Sequence, residues 1–351
     1  MKLAAILTVA GLFELALCQS QDRFFWLSYL RSRWFNGHSG LDSRRLAGRD
    51  CPLECDCPPS FPIAMYCDSR NLKHIPFVPS RMKYVYFQNN RISSIQDGVF
   101  DNATELVWIM LHRNTLSTDK IGKKVFSTLT NLDRLYMDHN NLTRVPAGLP
   151  NSLRDLRLDN NKISKIQPNS FEGMLNLSVL LLHDNAIQEV GGALKGLKSL
   201  SLLDISNNQL TKLPDNLPEH LHQLYLEFNN ITTIPGDYFH RFPKLQYVRL
   251  SNNQLTDEGI PRNAFNMSSL IELDLSYNKL QKIPPVSTSL ENLYLHANQI
   301  KEFSIDSFCT TINIMNFSQL RVLRLDGNQI PQNAIPPEVA LCLRLATIIA
   351  V

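Results

Sequence analysis

Residues 270–280 read L-I-E-L-D-L-S-Y-N-K-L, with leucines at the first, fourth, sixth and eleventh positions and an asparagine at the ninth. Residues 153–163 read L-R-D-L-R-L-D-N-N-K-I and repeat the same spacing of apolar residues around one asparagine. The shared unit is L-x-x-L-x-L-x-x-N-x-L. Its fourth and sixth positions lie on one side of a short strand, because side chains along a strand alternate between two faces. One unit cannot bury that apolar side alone, so the pattern predicts that successive units stack.

The ninth-position asparagine of this unit recurs eleven times along the chain. The copies are Asn90, Asn114, Asn140, Asn161, Asn185, Asn208, Asn229, Asn253, Asn278, Asn298 and Asn328. Successive spacings run from 20 to 26 residues except for the last, which is 30, and leucine-rich repeats span about 20 to 29 residues. The sequence therefore predicts an α/β leucine-rich-repeat solenoid, with a curved parallel β-sheet on the concave face and irregular or 3₁₀ segments on the convex face. We expect each asparagine to turn inward and bond to the backbone of neighbouring repeats.

The cysteines predict a disulfide cap at each end of this solenoid. Apart from Cys18 in the leader, they are Cys51, Cys55, Cys57, Cys67, Cys309 and Cys342. Zinc is the alternative for the first four, but a secreted chain without histidines at zinc-finger spacing favours disulfides. Three pairings remain open for these four cysteines. A degenerate repeat at residues 65–72 merges them into the first turn, where a cap must cover the open apolar end.

The chain divides into five predicted segments. A mostly apolar run follows Lys2, and small residues precede Gln19, so residues 1–18 are predicted to be a secretory signal peptide. No later apolar run is long enough to span a membrane. The other segments are an N-terminal tail, a cysteine-rich cap, the eleven full repeats and a closing segment, at residues 19–50, 51–72, 73–330 and 331–351.

Composition and motifs exclude several classes of function. The net charge of +3 and the lack of a dense Lys/Arg run argue against nucleic-acid binding. The sequence contains no phosphate-binding loop, nucleophile elbow or H-E-x-x-H motif, so it predicts no enzyme, no cofactor and no metal site. His112, His183 and His296 all fall at the seventh repeat position of non-adjacent repeats and are interpreted as solvated surface histidines.

The concave face is the predicted binding surface. Its central, fifth-position side chains should point outward, and tyrosine and arginine dominate among them. Both types are enriched at protein interfaces, although tyrosine also suits exposed strands without any partner. The residues predicted to form the binding face are Tyr86, Tyr136, Arg157, Tyr225, Arg249, Asp274, Tyr294 and Arg324.

Two further features concern the surface and the tail. Six N-x-S/T sequons predict N-glycosylation at Asn102, Asn141, Asn176, Asn230, Asn266 and Asn316. The tail carries six arginines against three aspartates, and six aromatic residues are interleaved with them. It is interpreted either as a basic-aromatic arm for sulfated glycans or as a disordered leader.

Several segments resemble the small leucine-rich proteoglycans. They are RMKYVYFQNN at residues 81–90, LDLSYNKLQKIPPV at residues 273–286 and VLRLDGNQI at residues 322–330. The C-x3-C-x-C-x9-C spacing is similar to that of the keratan-sulfate-bearing subgroup. The resemblance covers residues 51–351.

The resemblance implies a secreted extracellular-matrix protein that binds fibrillar collagen and regulates fibril assembly. It implies keratan sulfate or plain N-glycans at repeat-region sequons, and the pairing Cys51–Cys57, Cys55–Cys67 and Cys309–Cys342. The chain departs from the family at two places, and these limit which family properties can be assigned to its residues. Gln329 and Pro331 follow the last ladder asparagine without charge, so no ionic collagen contact is assigned to them. The tail has one tyrosine, Tyr29, in a basic context unlike that of the family's sulfated tyrosines.

We therefore expect a protein that acts by binding macromolecules and not by catalysis. Fibrillar collagen is the expected partner. The alternative is a soluble leucine-rich-repeat binder of a growth factor or receptor. Sulfated glycans at the basic tail and a second copy of the chain in a dimer are further candidate partners; nucleic acid and membrane are not.

Overall fold

A computed structural model describes residues 50–311, 316–331 and 335–351 of this chain. The predicted signal peptide and almost all of the predicted tail, with Tyr29, lie outside the described residues. Within them, thirteen short strands form one sheet in chain order, and each adjacent pair is parallel. The strands are β1 Ala64–Tyr66, β2 Tyr84–Tyr86, β3 Trp108–Met110, β4 Arg134–Tyr136, β5 Asp155–Arg157, β6 Val179–Leu181, β7 Leu202–Asp204, β8 Gln223–Tyr225, β9 Tyr247–Arg249, β10 Glu272–Asp274, β11 Asn292–Tyr294, β12 Val322–Arg324 and β13 Ile348–Ala350. The predicted leucine-rich solenoid is confirmed.

The register of the sheet places equivalent repeat positions side by side. Leu273 in β10 pairs with Val248 in β9 and with Leu293 in β11, and all three side chains are fully buried. The fourth-position side chains of successive repeats therefore form one continuous apolar stack. Since each repeat covers the next, the core extends along the whole series of repeats.

The predicted asparagine ladder is confirmed. The Asn253 amide nitrogen donates to the carbonyl oxygens of Leu226, Leu250 and Ser251 at 3.0, 3.1 and 3.2 Å. Its amide oxygen accepts from the backbone N–H of Ile231 at 2.9 Å. The side chain thus joins its own repeat to the preceding one, and it satisfies backbone groups that a turn would otherwise bury without partners.

The convex side is built from turns and short helices, as predicted. Its regular segments are the 3₁₀ helices Thr118–Lys120, Phe239–Arg241, Asp257–Gly259 and Ile305–Ser307 and the helix α1 Val339–Cys342. Buried phenylalanines pack between repeats on this side: the rings of Phe100 and Phe126 are 6.2 Å apart, and those of Phe239 and Phe265 are 5.8 Å apart. The helices in the described part of the chain are all too short to cross a bilayer.

Both ends of the solenoid carry disulfides. The pairs are Cys51–Cys57, Cys55–Cys67 and Cys309–Cys342, which is the pairing that the family resemblance implies. The closing segment also contains a strand that the repeat pattern did not predict. Ile349 in this strand, β13, pairs with Leu323 in β12. Residues 346–351 supply only the first half of a repeat, without the diagnostic asparagine, so the pattern could not detect them.

Candidate binding face

The solvent-facing side of the sheet carries the third-, fifth- and seventh-position side chains of each repeat, and we call it the concave face. Its character changes along the solenoid. Aromatic rings cover β1–β4, aliphatic side chains cover β6 and the start of β7, and charged residues with tyrosines cover β8–β12.

Four aromatic residues at the N-terminal end form a continuous row that we call the aromatic ladder. Tyr66 stacks on Tyr86, with ring centroids 4.7 Å apart and planes inclined by 7°. Tyr86 lies 6.3 Å from Trp108, which meets Tyr136 edge to face at 5.3 Å. Neighbouring rings support one another, and each such pair contributes about 0.5–1.5 kcal/mol beyond its buried area. The ladder is therefore a continuous row of packed rings that spans four strands.

Two arginines and one carboxylate border the ladder. The guanidinium carbon of Arg134 lies 5.1 Å from the centre of the Trp108 ring, and that of Arg157 lies 4.0 Å from the centre of the Tyr136 ring. The Tyr136 hydroxyl donates to Asp155 at 2.7 Å, and Arg157 donates to the same carboxylate at 3.2 and 3.3 Å. Burial and then the Asp155 charge raise the pKa of Tyr136. The hydroxyl therefore stays protonated, and the cluster is fixed before any partner arrives.

The C-terminal half of the face consists mainly of paired charges. Arg249 lies over the Tyr225 ring at 4.6 Å and donates to Glu272 at 2.9 Å. Arg324 donates to Asp326 through two nitrogens, at 2.9 and 2.7 Å. Because each of these arginines already has a carboxylate partner, this half presents local dipoles and little net field.

Glu227 is the exception among these charges. Its Oε2 atom is buried and has no hydrogen-bond partner in the described part of the chain. Burial, followed by repulsion from Asp204 and Asp274, raises the pKa of Glu227 from 4.5 to about 7, against the opposing effects of a backbone hydrogen bond and then of Arg249. The folded protein therefore holds a proton on this carboxyl more tightly than the unfolded chain does.

The raised pKa of Glu227 predicts that removing its charge stabilises the folded protein by an amount that depends on pH. Stability from this group is complete below pH 4.5 and is lost as the pH rises through about 7. Glu227→Gln should therefore raise the free energy of unfolding by about 2 kcal/mol at pH 8, with the gain shrinking towards pH 5. Urea denaturation at both pH values measures this. The exposed Glu189, replaced by glutamine, is the control, and an equal gain at both pH values would contradict the prediction.

The interpretation of the seventh-position histidines as solvated is wrong: His112 and His296 are half-buried, and burial lowers the pKa of both. The largest departure is at His183. Its side chain is only one-quarter exposed and lies among three carboxylates: Asp204 at 3.3 Å, Asp159 at 3.4 Å and Asp184 at 3.8 Å. Burial would lower the pKa of His183, but these aspartates raise it to about 9. Asp159 and Asp204 come from the two adjacent turns of the solenoid and Asp184 is the next residue in the chain, so a comparison of the histidines with one another could not find them.

The structure brings the predicted fifth-position residues into clusters with residues that sequence reasoning missed. Tyr86 and Tyr136 are only 8% and 6% exposed, because neighbouring rings cover them. The missed third-position partners are Trp108, Arg134, Asp155 and Glu272. Positions three and five of a strand share a face, and this alternation was the available signal.

The predicted glycosylation sites share one property. All six sequon asparagines, Asn102, Asn141, Asn176, Asn230, Asn266 and Asn316, are exposed. None lies in a strand of the sheet, so glycans at these positions would start outside the concave face. Their occupancy stays a prediction.

Comparison with known families identifies the class of protein. The family described as "Leucine rich repeat" matches residues 80–146, 151–210 and 219–257, and a second description of that repeat matches residues 269–288. The "Leucine rich repeat N-terminal domain" matches residues 50–80. The chain is therefore a leucine-rich-repeat protein with an N-terminal cap.

Full-length relatives narrow the class. The chain is 57% identical to fibromodulin of Bos taurus and 55% identical to fibromodulin of Homo sapiens, with all of both chains covered. It is 51% identical to lumican of Bos taurus, over 86% of this chain and 88% of that one. The chain belongs to the fibromodulin and lumican family, the small leucine-rich proteoglycans of the extracellular matrix. Neither relative has the name of an enzyme.

Solved structures support the same fold. The chain resembles one in an octameric complex of Latrophilin 3, Unc5D and the leucine-rich-repeat part of FLRT2, with a TM-score of 0.67, 25% identity and coverage of 86% and 83% of the two chains. It also resembles an internalin of Listeria monocytogenes, with a TM-score of 0.60, 19% identity and coverage of 82% and 79%. The second likeness concerns the fold alone.

Proposed function

We propose that this protein binds fibrillar collagen through its concave face and limits or shapes the lateral growth of fibrils. Membership of the fibromodulin and lumican family supports an extracellular-matrix role. We choose the concave face as the collagen-binding surface because it carries the aromatic ladder and its two arginines. The ladder is the part of the concave face where a row of aromatic rings and two arginines that contact them lie together.

The chemistry of collagen suits such a surface. Each collagen chain is an extended polyproline II helix, and three of them wind into a rod with proline-type rings on the outside. Grooves lined by aromatic side chains recognise polyproline II segments, because the preformed helix loses little entropy on binding. Arg134 and Arg157 would add hydrogen bonds to carbonyl or carboxylate oxygens along the rod. The ladder spans several strands, so it offers an extended contact to an extended partner.

The proposed mechanism is occupancy of the fibril surface. A bound solenoid covers one side of a collagen molecule and blocks the addition of further molecules there. The exposed sequons lie outside the sheet, so glycans or keratan sulfate attached to them would project away from the bound rod and enlarge the blocked zone. Adding the secreted protein to assembling collagen should therefore give thinner fibrils, which turbidity and electron microscopy measure.

Removing the central ring of the ladder should weaken collagen binding. Trp108 contacts Tyr86, Tyr136 and Arg134, so Trp108→Ala deletes a large ring and loosens its neighbours. We expect the dissociation constant for immobilised triple-helical collagen to rise at least about tenfold, the effect of a binding hot spot. Surface plasmon resonance measures the change.

The control for this variant is Phe77→Ala. Phe77 is an exposed aromatic residue in the loop between β1 and β2, away from the sheet face. Its replacement should leave collagen affinity unchanged. Thermal unfolding of both variants checks that the fold is intact. Equal affinities for wild type and a folded Trp108→Ala protein would rule out the ladder as the collagen surface.

The second candidate function is the binding of a growth factor or receptor. The paired charges around Arg249 and Arg324 favour it, since fixed ion pairs select a partner of complementary pattern. The structurally similar FLRT2 repeat is found in a complex with Latrophilin 3 and Unc5D. Collagen affinity that survives mutation of the ladder, together with growth-factor binding lost in Arg249→Ala, would favour this alternative.

A further inference from the structure

A group of potential metal ligands lies beside the concave face, at the turns that follow β4 and β5. Asp138, His139 and Asp159 each offer one ligand atom, and these atoms lie within 4.8 Å of one another. The ring nitrogen Nδ1 of His139 is 3.0 Å from Oδ2 of Asp138. Two carboxylates and one imidazole are a ligand set suited to a divalent transition-metal ion, whereas calcium prefers oxygen ligands alone.

The backbone holds these ligands in place. The backbone N–H of His139 donates to the carbonyl oxygen of Asp159 at 3.1 Å. The ladder amide of Asn140 donates to the Asp138 carbonyl at 3.1 Å, and that of Asn161 donates to the Asp159 carbonyl at 3.0 Å. The two turns are therefore fixed relative to each other, so a metal ion would meet preorganised groups.

An outer layer of side chains supports Asp159, and this is a separate observation. The Asp159 carboxylate accepts a hydrogen bond from the Asn160 side chain at 3.2 Å and lies 3.4 Å from Nε2 of His183. The opposite ring nitrogen of His183 lies 3.3 Å from Asp204. Ligating carboxylates in metal sites are characteristically held by such outer partners. Asp159 is only 6% exposed and lies beside a second carboxylate, an arrangement that a dication would stabilise.

We propose that Asp138, His139 and Asp159 bind one divalent transition-metal ion. The ion would join two successive repeats. The site combines seventh- and eighth-position residues of adjacent repeats. Comparing only the seventh-position histidines in the sequence therefore could not find it. Collagen binding is not part of this proposal.

Isothermal titration with zinc chloride tests the proposal. The protein is the full secreted chain without a polyhistidine tag, stripped by a chelator and dialysed at pH 7.4. We expect one zinc ion to bind per chain, and calcium to give no comparable signal. His139→Gln should weaken zinc binding at least about tenfold.

Two further variants make the result decisive. His240→Gln changes an exposed histidine in the 3₁₀ helix Phe239–Arg241 and should leave zinc binding unaltered. Asp159→Asn keeps the size of the side chain and should weaken binding as His139→Gln does. Absence of zinc binding below the millimolar range, or binding that persists in a folded His139→Gln protein, would overturn the proposal. Thermal unfolding with and without zinc is a second readout, since a bound ion should raise the midpoint of wild type and of His240→Gln but not that of His139→Gln or Asp159→Asn.

Discussion

Asn253→Ala is expected to lower the free energy of unfolding by about 4 kcal/mol. The Asn253 side chain is 3% exposed. Its oxygen accepts a hydrogen bond from the N–H of Ile231, and alanine would leave this buried donor without a partner. Its nitrogen serves three carbonyls, two of which, those of Leu226 and Leu250, also accept from the next ladder asparagine on either side. One substitution therefore weakens the junction between two repeats.

Urea denaturation of the purified protein measures this effect. Asn131→Ala is the matched control, because Asn131 is exposed and makes a single side-chain bond, to the carbonyl of Thr104 at 3.2 Å. The control should change the unfolding free energy by less than about 1 kcal/mol. Similar losses for the two variants would show that the ladder contributes no more than an exposed asparagine does.

Removing the C-terminal disulfide should also lower the free energy of unfolding by a large amount. The Cys309→Ala/Cys342→Ala double variant should lose about 4 kcal/mol, because the bond closes a loop with a sequence separation of 33 residues in the unfolded chain. Removing Cys51–Cys57, which has a separation of 6 residues, should cost about 2 kcal/mol. Both cysteines of the C-terminal bond are buried, so lost packing adds to the difference.

Comparing the two losses of unfolding free energy tests whether the C-terminal disulfide stabilises the protein more than the N-terminal one. Chemical denaturation of both double variants under non-reducing conditions gives the comparison. A greater loss from the N-terminal pair would contradict the assignment of the C-terminal bond as the stronger stabiliser. Alanine pairs avoid the free thiols that single substitutions would leave.

Local spacing was sufficient to predict the repeats. Leu273 and Asn278 in one repeat have equivalents in ten others, so a regular pattern specified the sheet, the buried stack and the asparagine ladder. The half-repeat that forms β13 was not predicted. Ile349 occupies the fourth position of a repeat there, but no asparagine marks it, and the strand forms because β12 offers it a ready edge.

The binding face was predicted only in part. Fifth-position residues such as Arg157 were found because they recur at a fixed place, whereas Trp108 at the third position was missed although it shares the same face. The contact of His183 with Asp204, and that of His139 with Asp159, join different turns of the solenoid. Such contacts depend on the register between repeats of unequal length, which the spacing within one repeat does not specify.

The most direct test of collagen recognition compares two forms of the same collagen. Binding of the purified protein is measured to triple-helical collagen I and to the same collagen after heat denaturation, across a salt titration. We expect saturable binding to the triple helix alone, weakened by salt to the extent that Arg134 and Arg157 contribute. No binding to the triple helix at any salt concentration would rule out collagen recognition and favour a soluble binder of a growth factor or receptor.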